Sequence, residues 1–195
     1  MRYSITRFLK QFASFVIFTI LIFNSLYSQE HKFVVYGKLK IEKGNTDRAH
    51  IIVEKNGNQV EKLNIDRSGK FEFELDYNSQ YILTFKKPDY VTKSISINTT
   101  LPSNYEIVEN FIPFAFEVSL FHQLEGINTI VFNQPVGKIK YSATLDDFDY
   151  DTDYTRSIIK QIEEVERQMA EREKEVDELV KNEQGNQSNN QVEDQ

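Results

Sequence analysis

The chain has 195 residues, of which 27% are charged and 39% hydrophobic, and its formal net charge is −7. That length allows one domain of ordinary size with accessory segments. The absence of Cys excludes disulfides, thiolate metal sites and a cysteine nucleophile. Phe (15 residues) and Tyr (10 residues) are abundant, and aromatic residues are enriched in strands. The composition therefore favours a mainly β protein that is held together by packing.

The first 28 residues have the organisation of an export signal. The first ten residues carry three basic side chains, and Phe12 to Phe23 then form an uncharged apolar run. This run is shorter than the ~20 residues needed to span a bilayer. We predict a signal peptide over residues 1–28 with cleavage after Ser28, and an uncleaved membrane anchor is the alternative. The expected location is periplasmic, outer-membrane-associated or secreted.

Cleavage would also make the protein more acidic. It removes three of the 23 basic residues and none of the 30 acidic ones, which leaves a net charge of −10. Such a charge disfavours nucleic acid and anionic membrane surfaces as partners. We therefore expect no nucleic acid partner, and membrane contact only through the export signal.

Apolar and polar residues alternate through much of the next ninety residues, which is the pattern of strands with one face in a core. In the stretch from Gly69 to Ile97, Phe73 and Leu83 are the central apolar residues of their runs and are predicted to be buried. Turn residues separate the runs, and Asn56-Gly57 predicts a type I′ hairpin. The seven predicted strands cover residues 32–41, 49–55, 59–65, 70–75, 81–86, 91–98 and 114–120.

Seven short strands without intervening helical patterns predict an antiparallel β-sandwich. Three motifs, Gly69-x-Phe71, Tyr81-x-Leu83 and Lys86-Lys87-Pro-Asp-Tyr90, resemble the G-x-F, Y-x-L and K-x-G-Y progression of carboxypeptidase regulatory-like, transthyretin-like modules. Such modules are common in exported and envelope proteins of bacteria. The resemblance covers residues 33–98 and implies a seven-stranded transthyretin-like (Ig-like) sandwich over residues 29–122 with a non-catalytic scaffold or binding role. Asp89 departs from the pattern, since the family has Gly before the Tyr.

Residues 123–150 are predicted to pack on the sandwich. Their apolar residues indicate two short extended pieces on either side of Asn133-Gln134-Pro135. Pieces of this kind commonly pair with or cover an exposed sheet edge.

Aspartates occupy every second position from Asp147 to Asp153. Clustered carboxylates are suitable ligands for calcium, although Thr152 and Ile158 stand where an EF-hand loop has Gly and its bidentate Glu. The alternative is a water-facing run in which Phe148 and Tyr150 pack inward. The sequence leaves this choice open.

The apolar period becomes helical near residue 152, which predicts an amphipathic helix over residues 151–181 with coiled-coil character. Asp151 and Asp153 are placed to cap its first turn. Residues 182–195 contain almost nothing to bury and are predicted to be disordered. The apolar positions of the helix, spaced four and three residues apart, form an interaction seam that consists of Ile158, Ile162, Val165, Met169, Val176 and Leu179.

Three interpretations of this seam remain open. It binds a second copy or another envelope protein, it docks on the chain's own sandwich, or the helix is solvated. Arg172 interrupts the seam. Because an unpaired buried charge is unfavourable, an interface here would need an acidic partner such as Glu175 across it.

The motifs give no indication of catalysis. The sequence contains none of the common nucleotide-binding or hydrolase motifs, and His31, His50 and His122 lack metal-ligand spacing. We predict a non-enzymatic structural or protein-interaction module of the cell envelope without cofactor or metal, with an envelope protein or a second copy as partner through the helix. The alternative is a carbohydrate- or peptide-binding β-sandwich.

Overall fold

The computed structural model describes residues 31–107 and 111–190. The predicted signal peptide and its cleavage site lie outside the described residues, as do the last five residues of the predicted tail. The chain divides into two units, Met1–His31 and Lys32–Gln195, and the fold presented below belongs to the second.

Nine strands and one α-helix are found in the described part of the chain. The seven predicted strands are confirmed to within two residues at each end, a margin expected of any boundary assignment. The elements are β1 (Lys32–Ile41), β2 (His50–Lys55), β3 (Asn58–Asn64), β4 (Lys70–Asp76), β5 (Gln80–Lys86), β6 (Lys93–Asn98), β7 (Phe114–Leu120), a 3₁₀ turn (Ile130–Asn133), β8 (Gly137–Ser142), β9 (Asp147–Tyr150) and α1 (Thr152–Asn190).

The strands form two mixed sheets. A three-stranded sheet has the order β4-β1-β7, and a six-stranded sheet has the order β3-β2-β5-β6-β8-β9. The pairs β1–β7 and β6–β8 are parallel, and the described architecture is a β-sandwich followed by a helix. The seven strands predicted for residues 29–122 are β1 to β7, and β8 and β9 come from the following segment. The predicted all-antiparallel arrangement is wrong, because β1–β7 and β6–β8 are parallel. Alternation shows which face of a strand is buried, whereas pairing direction depends on how the chain crosses between the sheets.

The core lies between the two sheets. Phe73 and Leu83 are buried, which confirms the predicted inner faces of β4 and β5. The rings of Phe33 and Phe148 stack with centroids 4.0 Å apart and join β1 to β9 across the sandwich. Asn56 and Gly57 both have positive φ, as a type I′ hairpin requires.

The segment 123–150 extends the six-stranded sheet. Its first predicted extended piece is instead the 3₁₀ turn, whereas its second is β8, which pairs with β6. β9 then pairs with β8 and becomes the edge strand. The second piece therefore lies beside β6 in the six-stranded sheet.

The helix α1 begins at Thr152, as predicted, and continues to Asn190. The helix includes residues 182–190 of the tail that the sequence predicts to be disordered. At 1.5 Å per residue, its 39 residues span about 58 Å. No helix among the described residues is both long enough and apolar enough to cross a membrane.

Candidate functional site

The first four of the six seam residues are buried against the chain's own sandwich. They pack on apolar side chains from just before β6, from just after β7 and from the 3₁₀ turn. The packed set is Ile158, Ile162, Val165 and Met169 from α1 with Val91, Phe121, Val131 and Phe132 from the sandwich. For this half of the helix, the structure supports the docking interpretation.

Lys93 strengthens the contact between α1 and the sandwich. Its side chain is only 7% exposed, and its Nζ lies 2.9 Å from a carboxylate oxygen of Glu166 on α1. The same Nζ lies 4.4 Å and 5.2 Å from the ring centroids of Phe121 and Phe132, within the range of cation–π attraction. The sequence did not predict this role, because a lysine at the start of a strand is usually an exposed polar residue.

The last two of the six seam residues are exposed. Val176 is 41% and Leu179 61% exposed, whereas Met169 is 3% exposed. Arg172 pairs with Glu175 of the same helix at 2.8 Å. In the single chain this pair joins two residues three positions apart on the helix surface, and pairing across an interface stays a prediction.

Lys43, in the turn between β1 and β2, forms ion pairs with acidic residues on this part of the helix. Its Nζ lies 3.1 Å from carboxylate oxygens of Glu173 and Asp177. Hydrogen bonds to Asp177 and Glu173 raise the pKa of Lys43 above its ordinary value. The contact joins residues that are far apart in the chain, so the sequence carried no local signal for it.

The junction before α1 is a single residue, Asp151. Its backbone N–H donates to the Lys138 carbonyl at 2.8 Å, and its carboxylate accepts hydrogen bonds from Lys140 Nζ at 2.7 Å and from the Tyr154 N–H at 3.2 Å. The hydrogen bond from Lys140 is the main cause of the lowered pKa of Asp151. Asp151 therefore caps the helix and joins it to β8 without a flexible linker.

The other aspartates of the acidic run also have structural partners. Asp147 and Asp149 accept hydrogen bonds from the N–H of the following residue, each at 2.7 Å, and Asp153 pairs with Arg156 at 3.1 Å. No group of three or more His, Asp or Glu residues within 31–107 and 111–190 is arranged to hold a metal. Phe148 is buried, as predicted, but Tyr150 is 40% exposed.

The outer face of the three-stranded sheet contains a groove of about 670 Å³. The register places Glu72, Tyr36 and Ala115 in one row across β4, β1 and β7. Lys70, Lys38 and Glu117 form the next row. Tyr36 is 44% exposed. We refer to these six residues as the groove.

Gly37 lies between the two rows. A Cβ at this position would collide with the carbonyl oxygen of Phe116 and would crowd the ring of Phe71. Only glycine therefore fits this close approach of β1 to β7. A glycine inside a strand was the one sequence signal for the groove, since it often marks a site where a ligand or another backbone comes close.

The three histidines have separate local environments. His122 packs against Tyr90 with ring centroids 4.0 Å apart, and Nδ1 of His50 lies 3.3 Å from the Arg48 carbonyl oxygen. The structure does not bring them together as metal ligands in its described part.

Comparisons with known proteins give little further information. No family model and no curated protein matches the chain. It is similar to a chain in the crystal structure of a C-terminal interface mutant of a type II cohesin-X-dockerin complex from Acetivibrio cellulolyticus, with 20% identity and a TM-score of 0.27. The match covers 45% of this chain and 51% of that one, so the chain spans about half the length of the protein it matches. Similarity at this level supports no inference about function.

Proposed function

We propose that the mature chain is a non-catalytic, exported interaction module of the cell envelope, in which the sandwich is the base and α1 carries the partner-binding surface. The observation that carries this proposal is the change in burial along one continuous seam. Met169 is buried in the sandwich, whereas Val176 and Leu179 further along the same face are exposed. Apolar surface left in water costs about 25 cal/mol per Å², so a partner that covers this face gains stability.

The attachment of α1 supports this role because it sets the direction of the helix. Asp151, the Lys93–Glu166 pair and the Lys43 contacts hold the helix at its start, middle and distal part. A surface that is already oriented loses less conformational freedom on binding than a flexible one. The helix thus presents Val176 and Leu179 at a defined position relative to the sandwich.

The assignment to the carboxypeptidase regulatory-like, transthyretin-like group is part of the same proposal. Asp89, the residue that departs from the family pattern, has φ of 67°. This left-handed conformation is the one that a glycine adopts readily and that Asp tolerates better than most residues. The substitution is therefore compatible with a family-like turn before Tyr90.

The non-catalytic part of the proposal is supported by the partners of the charged groups. Asp76 accepts hydrogen bonds from Lys32 and Lys55 on two other strands. Asp151 caps α1, and Glu166 joins it to Lys93. Each of these groups stabilises a contact between elements. Their positions are therefore explained by structural roles, and no catalytic role is needed.

Site-specific crosslinking tests the proposal. A photoreactive amino acid replaces Leu179 in the full-length chain expressed in its own cells, and the control carries it at Lys174, on the opposite face of α1. We expect a discrete crosslinked product from position 179 only, and its mass identifies an envelope protein or a second copy. The product should disappear when Val176→Asp is added. No product at 179, or equal products at both positions, would contradict an interaction surface on this face.

A further inference from the structure

The groove on the three-stranded sheet combines an apolar pair, Tyr36 and Ala115, with a cationic corner. Ala115 is the small neighbour of Tyr36, so the exposed tyrosine side chain has open space beside it. Neighbouring strands lie about 4.7–4.9 Å apart in a sheet. Tyr36 and Ala115 therefore offer an apolar platform of roughly the size of one small ring.

The cationic corner consists of two lysines. Lys38 and Lys70 are directly opposite each other on β1 and β4, and like charges in that position repel. Glu117, the neighbour of Lys38 on β7, pairs with Lys40. Within the described residues neither Lys38 nor Lys70 has an ion pair, although the charge of Lys70 adds to the hydrogen bonds from Ser68 that lower the pKa of Asp66. An anion placed between the two ammonium groups would relieve their repulsion.

A bound peptide is a poor match for this arrangement. Extended peptides bind sheets by adding a strand at an edge, where main-chain groups are free. The groove is centred on β1, whose backbone is paired on both sides with β4 and β7. The available interactions come from side chains: one aromatic ring, two ammonium groups and the carboxylate of Glu72 opposite Tyr36.

We propose that the groove binds a carboxylated sugar of the uronic acid class. The sugar ring lies on Tyr36 and Ala115, its carboxylate lies between Lys38 and Lys70, and Glu72 accepts a hydrogen bond from a ring hydroxyl. The volume of about 670 Å³ falls in the range of small-molecule sites. This site is independent of the proposed role of α1, because the helix packs elsewhere, on Val91, Phe121, Val131 and Phe132.

The test is an NMR titration of the mature chain with trigalacturonate and with its methyl ester. The ester keeps the sugar rings and removes the charge. We expect saturable shifts centred on Tyr36, Lys38 and Lys70, and at least tenfold weaker binding of the ester. Absence of saturable shifts, or equal affinity for acid and ester, would overturn the proposal.

Variants separate the two parts of the site. Tyr36→Ala should weaken binding of both ligands at least tenfold, while Tyr36→Phe should retain it. Lys38→Gln and Lys70→Gln should each weaken binding of the acid and leave that of the ester unchanged. The matched controls are Tyr150→Ala, which removes a tyrosine of similar exposure on β9, and Lys62→Gln on β3.

Three further results would also overturn the proposal. The first is an equal loss of binding in the control variants, which would show non-specific charge attraction. The second is binding of trigalacturonate that survives Tyr36→Ala in a protein whose spectrum remains folded. The third is stronger binding of an Asp/Glu-rich peptide at the same residues, which would assign the groove to a protein partner.

Discussion

Phe73 is the central apolar residue of β4 and packs in the core between the sheets. Replacing it with Ala leaves a cavity that the surrounding strands fill only in part. We expect Phe73→Ala to lower the free energy of unfolding by about 3–5 kcal/mol, measured by urea denaturation. The control is Glu74→Ala on the exposed face of the same strand, expected within about 0.5 kcal/mol. A loss below about 1 kcal/mol for Phe73→Ala would contradict the assigned inner face.

Asp76 joins three strands through its hydrogen bonds with Lys32 and Lys55. These bonds lower its pKa from the ordinary 3.8 to about 2. Because the folded-state pKa is depressed, the stabilisation is present above about pH 4 and is lost as pH falls through 2. The lysines and Asp76 are partly exposed, so solvent screening reduces the contribution to about 1 kcal/mol.

Asp76→Asn should therefore destabilise the protein by about 1 kcal/mol at pH 7 and by much less near pH 2. Urea denaturation at pH 7, 4 and 2.5 measures the difference, with Glu61→Gln on the exposed strand β3 as the charge-matched control. A difference from the wild type that stays constant over this pH range would show that the ionised carboxylate is not the source of the stabilisation.

At the scale of elements, the two halves of α1 should respond differently to the same substitution. Ile162→Asp with Val165→Asp places two charges in the buried contact with the sandwich and should cost about 3 kcal/mol or more. Val176→Asp with Leu179→Asp changes exposed positions and should stay within about 0.5 kcal/mol. Urea denaturation compares the stabilities, and sedimentation shows whether either pair changes the oligomeric state. Equal effects of the two pairs on stability would contradict the docking of the first half.

The strand β9 is an edge of the six-stranded sheet. Its aspartates accept hydrogen bonds from backbone N–H groups that no strand within the described residues pairs with. The Asp151 N–H points inward to Lys138, so by alternation the N–H groups of Phe148 and Tyr150 point outward. There they donate to Asp147 and Asp149. Unprotected strand edges promote pairing between molecules.

Removal of both carboxylates should therefore promote aggregation. We expect Asp147→Ala with Asp149→Ala to increase light scattering at high protein concentration, because free N–H groups and reduced charge both favour edge pairing. Asp153→Ala, in the first turn of α1, removes one charge outside the edge and should scatter like the wild type. A double variant that remains monomeric would show that these aspartates do not protect the edge.

At the scale of the whole molecule, the predicted export determines which residues form the mature protein. The basic beginning and the short apolar run predict cleavage after Ser28. N-terminal sequencing of the protein from an envelope or medium fraction should begin at Gln29. Recovery of Met1 in the membrane fraction would favour the uncleaved anchor.

The sequence by itself determined the positions of β1 to β7, the buried faces of β4 and β5, the Asn56-Gly57 hairpin and the start of α1. These features depend on side-chain periodicity and on turn and capping residues close together in the chain.

Only the tertiary structure decided the parallel pairs β1–β7 and β6–β8, the burial of four of the six seam residues, and the assembly of the groove from three strands. Lys93 and Glu166, and Lys43 and Asp177, meet from distant parts of the chain. The physical reason is that periodicity shows which side of an element is apolar. Which surface covers that side depends on the path of the chain between elements, and residue patterns carry little information about that path.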